Sequence, residues 1–335
     1  MIADSIINKI LEPISDDLPS GTNVRNNLKY RDSYFDLKDI RCQARQHERR
    51  FSLDEESLFE TPSWDSVYNI SLNLLTNATK DVEVVVWLIE SMVRKFQFRG
   101  FSQGIELLTN LITKYWSSIH PRSDELDYHS IFFAIENLNG VDHNSTLIEP
   151  LSNIKVTQYD SNVDISMWQY KKIIHDSDHD KLAFVENIIK KTPADFYKKM
   201  LIDITQCNNN YLYLIEKIKE LSNNQITIPS SNIKNALNDF SHHIEILISN
   251  NSLEQKNTSQ SCVLAAEEPS QRDLALKKID EVINYFKKNE PQSPVPCLLT
   301  RAKDWADLPL RDLIKEIIND DSQIKRAFEI TGIKQ

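Results

Sequence analysis

Residues 80–121, KDVEVVVWLIESMVRKFQFRGFSQGIELLTNLITKYWSSIHP, constrain the fold more than any other stretch of this chain. Val82, Val85, Val86, Ile89, Val93 and Phe96 recur along one stripe of a 3.6-residue period, the mark of an amphipathic helix. Thr79 or Asp81 can cap its start, and Asp81 and Glu83 put negative charge where the helix dipole favours it. Arg94, Lys95 and Arg99 fall near the other end, and Gly100 is expected to supply the left-handed residue that closes the helix. A second stripe follows in Phe101, Ile105, Leu108, Ile112, Tyr115 and Ile119, stopped by His120 and Pro121. Two apolar faces joined by a glycine corner must pack on each other and on further helices. The spacing therefore predicts a helical hairpin that serves as a core and carries no chemistry.

The rest of the sequence reads as helices separated by polar turns. A short amphipathic helix over residues 2–11 precedes the turn-rich EPISDDLPSG, and a polar helix over 28–50 has a narrow seam of Tyr34, Leu37, Ile40 and Ala44. Helices follow at 63–76, with Trp64 on the inner face, and at 126–138. Residues 147–156 can be extended, and helices are expected over 165–174, 180–190, 193–221 with a break at Asn208–Asn210, and 231–250. Residues 251–269 have the Ser, Asn and Gln content of a flexible linker. The expected organisation is thus all-α: a helical domain over 1–150, a helical middle region over 151–250, the linker over 251–269, and a small helical module over 270–335.

Composition narrows the function. Five glycines, with Gly100 and Gly104 the only close pair, leave no way to write a phosphate-binding G-x-x-x-x-G-K-[ST] or G-x-G-x-x-G loop. Lys and Arg number 39 against 49 Asp and Glu, and the resulting net charge of -10 opposes general nucleic-acid binding. Cys42, Cys207, Cys262 and Cys297 are scattered without a C-x-x-C pair, which fits a reducing cytoplasm and argues against a zinc site or disulfide framework. The longest apolar run, residues 84–89, is far too short to cross a bilayer, and the N-terminus reads as a helix rather than a signal peptide. No cofactor, metal or catalytic constellation is expected.

Three groups of residues remain as candidates. His175, Asp176, Asp178, His179 and Asp180 have metal-ligand chemistry, but their clustering in one short stretch suits a solvated acidic loop. Arg41, Arg45 and Arg49 stand at i, i+4 and i+8, so three guanidinium groups share one helix face. They can grip an acidic partner or RNA; the preferred reading is an ion-pair face holding the N-terminal turn through Asp16 and Asp17. The corner EPQSPVP, residues 290–296, fixes the chain direction through its prolines and can present an oligomer surface.

Two separated stretches resemble the TssA family of bacterial type VI secretion systems. The first is similar to the ImpA-type N-terminal domain in Leu11-Glu12-Pro13-Ile14, Leu18-Pro19-Ser20-Gly21, the arginine-rich helix to Arg50 and Trp64. It continues in Lys80-Asp81, Trp87-Leu88, Arg99-Gly100-Phe101, Gly104 and residues 115–121, YWSSIHP. The second is similar to the C-terminal module of the shorter TssA proteins in Ser270-Gln271-Arg272-Asp273, Tyr285-Phe286, Glu290-Pro291, Ser293-Pro294-Val295-Pro296, Arg301-Ala302, Trp305 and Leu308-Pro309-Leu310. Gln292 stands where the family often has a histidine. The resemblance implies a non-enzymatic cytoplasmic protein of the secretion apparatus at the inner membrane. It implies a homo-oligomeric ring that contacts baseplate, inner-tube and sheath proteins during contractile tail assembly. The interface candidates are then Glu290, Pro291, Ser293, Pro294, Arg301, Trp305, Leu310 and Leu313, with Arg41, Arg45 and Arg49 as candidates for partner contact. The main alternative is a nucleic-acid-binding or general adaptor protein that uses the arginine ladder.

Overall fold

Periodicity of this strength folds as expected into helices, and the computed structural model describes residues 2–51, 64–121, 128–140, 145–158, 164–176, 179–258, 271–289, 292–306, 308 and 313. Among these, the only pairing of extended backbone is three isolated bridges, and the architecture is all-α. The helices are α1 (Asp4–Leu11), α2 (Arg31–Phe51), α3 (Trp64–Asn77), α4 (Val82–Tyr115), α5 (Tyr128–Asn139) and α6 (Ile148–Ser152). They continue as α7 (Met167–Asp176), α8 (His179–Lys191), α9 (Ala194–Leu221), α10 (Ser231–Thr258), α11 (Gln271–Asn289) and α12 (Val295–Ala306). The chain divides into two compact units, Met1–Ser259 and Gln260–Gln335. The boundary read near residue 150 falls inside the first unit, where α9 lies against α4. The stretch read as a linker begins inside α10, which runs to Thr258.

The hairpin is α4, bent into two arms at Gln97 (φ 55°, ψ -138°). Asp81 caps the first arm, its Oδ1 accepting from the backbone N–H groups of Glu83 at 2.9 Å and Val84 at 3.4 Å. Gly100 does not make the corner as expected. A Cβ there would lie 2.1 Å from the Met92 carbonyl oxygen, and one on Gly104 would lie 2.8 Å from Ile89 Cγ1. Gly100 opposite Met92 and Gly104 opposite Ile89 run in antiparallel order, so the two glycines form the seam along which the arms touch. Glycine is needed where backbones meet, so the bend has to precede it and falls on Gln97.

Both arms are surrounded. Val82, Val84 to Val86, Leu88 and Ile89 of the first arm are fully buried, as are Phe101, Ile105, Leu108 and Leu111 of the second. A helix apolar on all sides belongs at the centre of a helical unit, and α3, α5, α6 and α9 all pack on α4. The first helix is tied to the second arm by its ends: Ile2 exchanges two hydrogen bonds with the Gln103 side chain, and the Leu11 carbonyl accepts from Lys114 Nζ at 2.6 Å and Tyr115 Oη at 2.8 Å.

Two local expectations are corrected. α9 runs unbroken through Asn208–Asn210, because Asn210 Nδ2 donates to Ser102 Oγ at 3.0 Å while Cys207, Tyr211 and Leu214 continue the buried stripe. Residues 148–152, expected to be extended, form α6; only beyond them does Val156 N–H donate to the Ile165 carbonyl, at 2.8 Å, as in a strand pair.

In the second unit α11 and α12 form a hairpin, with Ile283 buried and Lys303 Nζ at 2.7 Å from both carboxylate oxygens of Asp280. The part of the expected helical module from residue 309 onward lies outside the described residues apart from Leu313.

Candidate functional site

The arginine ladder lies on α2 beside its buried seam of Tyr34, Leu37 and Ala44. Opposite it, on α4, stands Glu90, whose side chain is 0% exposed, inside the apolar run of the first arm. A carboxylate in such a place must be paired. Arg41 supplies the pair in fork geometry, Nε to Oε2 at 2.8 Å and Nη2 to Oε1 at 2.7 Å. Its own side chain is 16% exposed, and its guanidinium carbon lies 5.4 Å from the centre of the Trp87 ring. The expected link to Asp16 and Asp17 does not form: both are exposed, and the acid Arg41 reaches is Glu90. The N-terminal turn is held instead by backbone hydrogen bonds from Thr22 N–H to Ala78 and from Lys80 N–H to Ser20.

One turn on from Glu90, Arg94 forks onto Glu48 of α2, Nε to Oε1 at 2.6 Å and Nη2 to Oε2 at 2.7 Å, and gives a further bond to the Glu90 carbonyl. Trp64 lies beneath it, 3.7 Å from the guanidinium carbon, and donates its indole N–H to Glu48 at 2.8 Å. Two arginines are thus matched to two glutamates across α2, α3 and α4. Arg49 is exposed and has partners of its own. Arg45 is partly buried, and among the described residues no acceptor is within hydrogen-bonding reach of its guanidinium. Burial lowers its pKa; Glu90 works against that, while Arg41, Arg49 and Arg94 add to it.

A second ionic group fixes the base of α4. Arg25 bonds Asp81 and Glu83 at 2.5 Å each, and Tyr34 donates its hydroxyl to Glu83 at 2.6 Å. Burial works against the Arg25 charge, but the Asp81 and Glu83 carboxylates outweigh it and push the pKa up. Lys80, fully buried beside this group, donates to the Leu75 carbonyl at 2.9 Å, and burial together with Lys114 brings its pKa down to about 8.

In the second unit, Ser293 Oγ accepts from Val295 N–H at 3.3 Å and opens α12, and Pro294 is exposed. Arg301 is exposed and lies 4.7 Å over the Trp305 ring. Leu313 is helical, and Glu290, Pro291 and Leu310 lie outside the described residues. His175 and Asp176 are exposed at the end of α7, and the side chains of Asp178, His179 and Asp180 lie outside the described residues. Among the described residues no three His, Cys, Asp or Glu side chains gather as a metal site, and no helix is long and apolar enough to cross a membrane.

Sequence reasoning passed over Glu90, and it read Arg94 only as a charge near a helix end and Glu48 only as a neighbour of the arginine ladder. The signal for Glu90 was present: a single acid within VVVWLIESMV has no polar side of the helix to occupy.

Comparison with known proteins gives a consistent result. Residues 11–140 match the family model described as ImpA, N-terminal, type VI secretion system. The chain is 22% identical over 354 residues to the type VI secretion system component TssA1 of Pseudomonas aeruginosa, covering 93% of this chain and 94% of that protein. Its fold is similar to the N-terminal domain, including the conserved ImpA_N region, of the TssA component from Burkholderia cenocepacia. The TM-score is 0.57 at 19% identity, covering 75% of this chain and 98% of the other. The all-helical unit built on the bent α4 is thus similar in fold to a TssA N-terminal domain, residues 11–140 match the ImpA N-terminal family model, and the chain is similar to a TssA protein almost from end to end.

Proposed function

We propose that this protein is a non-enzymatic organiser of contractile tail assembly. It forms a homo-oligomeric ring through residues 270–335 and offers its N-terminal unit to baseplate, inner-tube and sheath proteins on the cytoplasmic side of the inner membrane. The near full-length correspondence with TssA1 carries this reading, because it includes the small second unit as well as the ImpA region. The second unit also supports it: Val282 and Leu298 are exposed on α11 and α12, and a unit this small gains stability by burying such residues against copies of itself. A ring of N-terminal units would bind a symmetric baseplate with avidity beyond that of one contact.

Light scattering on the full chain, on residues 1–259 and on residues 260–335 tests the architecture. A large oligomer for the full chain and for the second unit is expected, with pull-down of baseplate and sheath proteins by the full chain. A monomeric full chain rejects the ring and leaves an adaptor. No retardation of DNA or RNA is expected at low salt.

A further inference from the structure

We propose that the bend of α4 holds open a docking cleft for an uncharged, extended segment of a partner protein. One bulky apolar side chain of that segment fills an aromatic floor, and its backbone bonds the Gln97 and Gln158 amides. This rests on the reading that the N-terminal unit makes protein contacts.

Two independent observations meet at Gln97. The first is its backbone: φ 55° with ψ -138° is open to glycine and costly for a residue with a Cβ. The fold needs only a bend there, which glycine would make without strain. Among the described residues no hydrogen bond accounts for the glutamine side chain. Backbone strain of this kind collects at ligand clamps and other working sites. The second observation is a cleft of about 350 Å3 between the bend and the first turns of α9, and Gln97 lines it. That volume lies in the range of about 300–1,000 Å3 usual for binding sites.

The lining decides the occupant. Phe96 and Phe196, both half-buried, join Phe98 and Met200 in an apolar floor. Arg99 and Lys199 stand at the rim with Asp195 and Asp203, and Arg99 pairs with Asp203 at 3.0 Å. Two cations and two anions leave no net field, so the cleft selects neither a nucleotide nor a charged peptide. Gln158, exposed just beyond the paired Val156, brings a second amide to the edge. A glutamine amide both donates and accepts, as the N–H and C=O groups of an extended backbone require.

The test titrates the full chain, carrying carbon-13 methyl methionine, with N-acetyl-Gly-Phe-Gly amide and follows it by methyl NMR. Of the four methionines, Met200 lies in the cleft and reads binding, while Met167 lies in α7 and confirms the fold. Met200 should shift saturably with this peptide. It should respond less to N-acetyl-Gly-Ala-Gly amide, and less to indole, which has an aromatic ring and no backbone. Gln97→Ala removes the amide and keeps the strained bend; it should weaken binding about fivefold, the value of one neutral hydrogen bond. Gln97→Gly should weaken binding as much and melt a few degrees above wild type, because the bend is then unstrained.

A Met200 methyl that ignores the phenylalanine peptide at millimolar concentration in the folded wild type overturns the proposal. So do equal responses to the alanine peptide or to indole, the latter marking a pocket for small aromatic molecules. Unchanged binding by both Gln97 variants, or a Gln97→Gly variant that melts no higher than wild type, overturns it as well. Movement of Met200 with protein concentration alone would assign the cleft to a second copy of this chain instead. Pull-down of tail proteins is read separately. A protein that retains them without a Met200 response fails only this proposal, and one that answers to the peptide but retains none fails only the assembly reading.

Discussion

Glu90 is the residue on which the N-terminal unit can be tested most sharply. Replacing it by glutamine keeps the shape and removes the charge, leaving Arg41 at 16% exposure with a neutral partner and taking from Arg45 the favourable field of the Glu90 carboxylate. Breaking a buried pair by removing one partner costs about 3–5 kcal/mol, and the additional exposure of Arg45 to its arginine neighbours places the effect toward the upper end. With a urea dependence of roughly 2–3 kcal/mol per molar for a unit of this size, the midpoint should fall by about 1–2 M. The assay is urea unfolding of the full chain, followed by far-ultraviolet circular dichroism and by the fluorescence of Trp64 and Trp87, both within reach of the cluster. Arg41→Met alone should cost a similar amount, since it strands Glu90. The double variant Arg41→Met/Glu90→Leu should recover most of the loss, because an apolar pair fills the same space without buried charge. Recovery is incomplete to the extent that Arg45 loses the field of the Glu90 carboxylate. Single losses below about 1 kcal/mol, or losses that simply add in the double variant, would refute a desolvated pair and show that water reaches both groups.

Other substitutions separate the contacts around α4. Gly100→Ala should destabilise by about 2 kcal/mol despite the better helix propensity of alanine, because its Cβ meets the Met92 backbone; Gly104→Ala should cost less, because it meets the end of the Ile89 side chain. Chemical denaturation orders the two, and the reverse order would exclude the seam. Tyr34→Phe should lose about 1–2 kcal/mol by removing the hydroxyl that donates to Glu83. The Lys80 pKa is depressed in the folded state, so the unfolded chain binds more protons between pH 8 and the ordinary lysine range. Stability should then rise with pH from about 8 upward, by about 2–3 kcal/mol in total, relative to Lys80→Met. Parallel pH profiles for the two proteins would mean that Lys80 is not buried as a charged group.

The helical class, the stripes of α4, a cap at Thr79 or Asp81 and the family resemblance were all legible in the sequence. Each depends on residues within a few turns of one another or on a motif read in order, and 3.6-residue spacing shows directly which face of a helix has to be buried. The family resemblance of the region including α4 needed only quoted motifs, such as RGF and YWSSIHP, and no packing.

Tertiary structure decided the rest. It moved the bend from Gly100 to Gln97, because the need for glycine is set by how closely the two arms approach. It carried α9 through three asparagines, because contact with α4 overrides weak local propensity. It gave Arg41 to Glu90 rather than to Asp16 or Asp17. Spacing along the chain places three guanidinium groups on one face; that Arg41 meets Glu90, 49 residues away, is settled only when α2 packs beside α4.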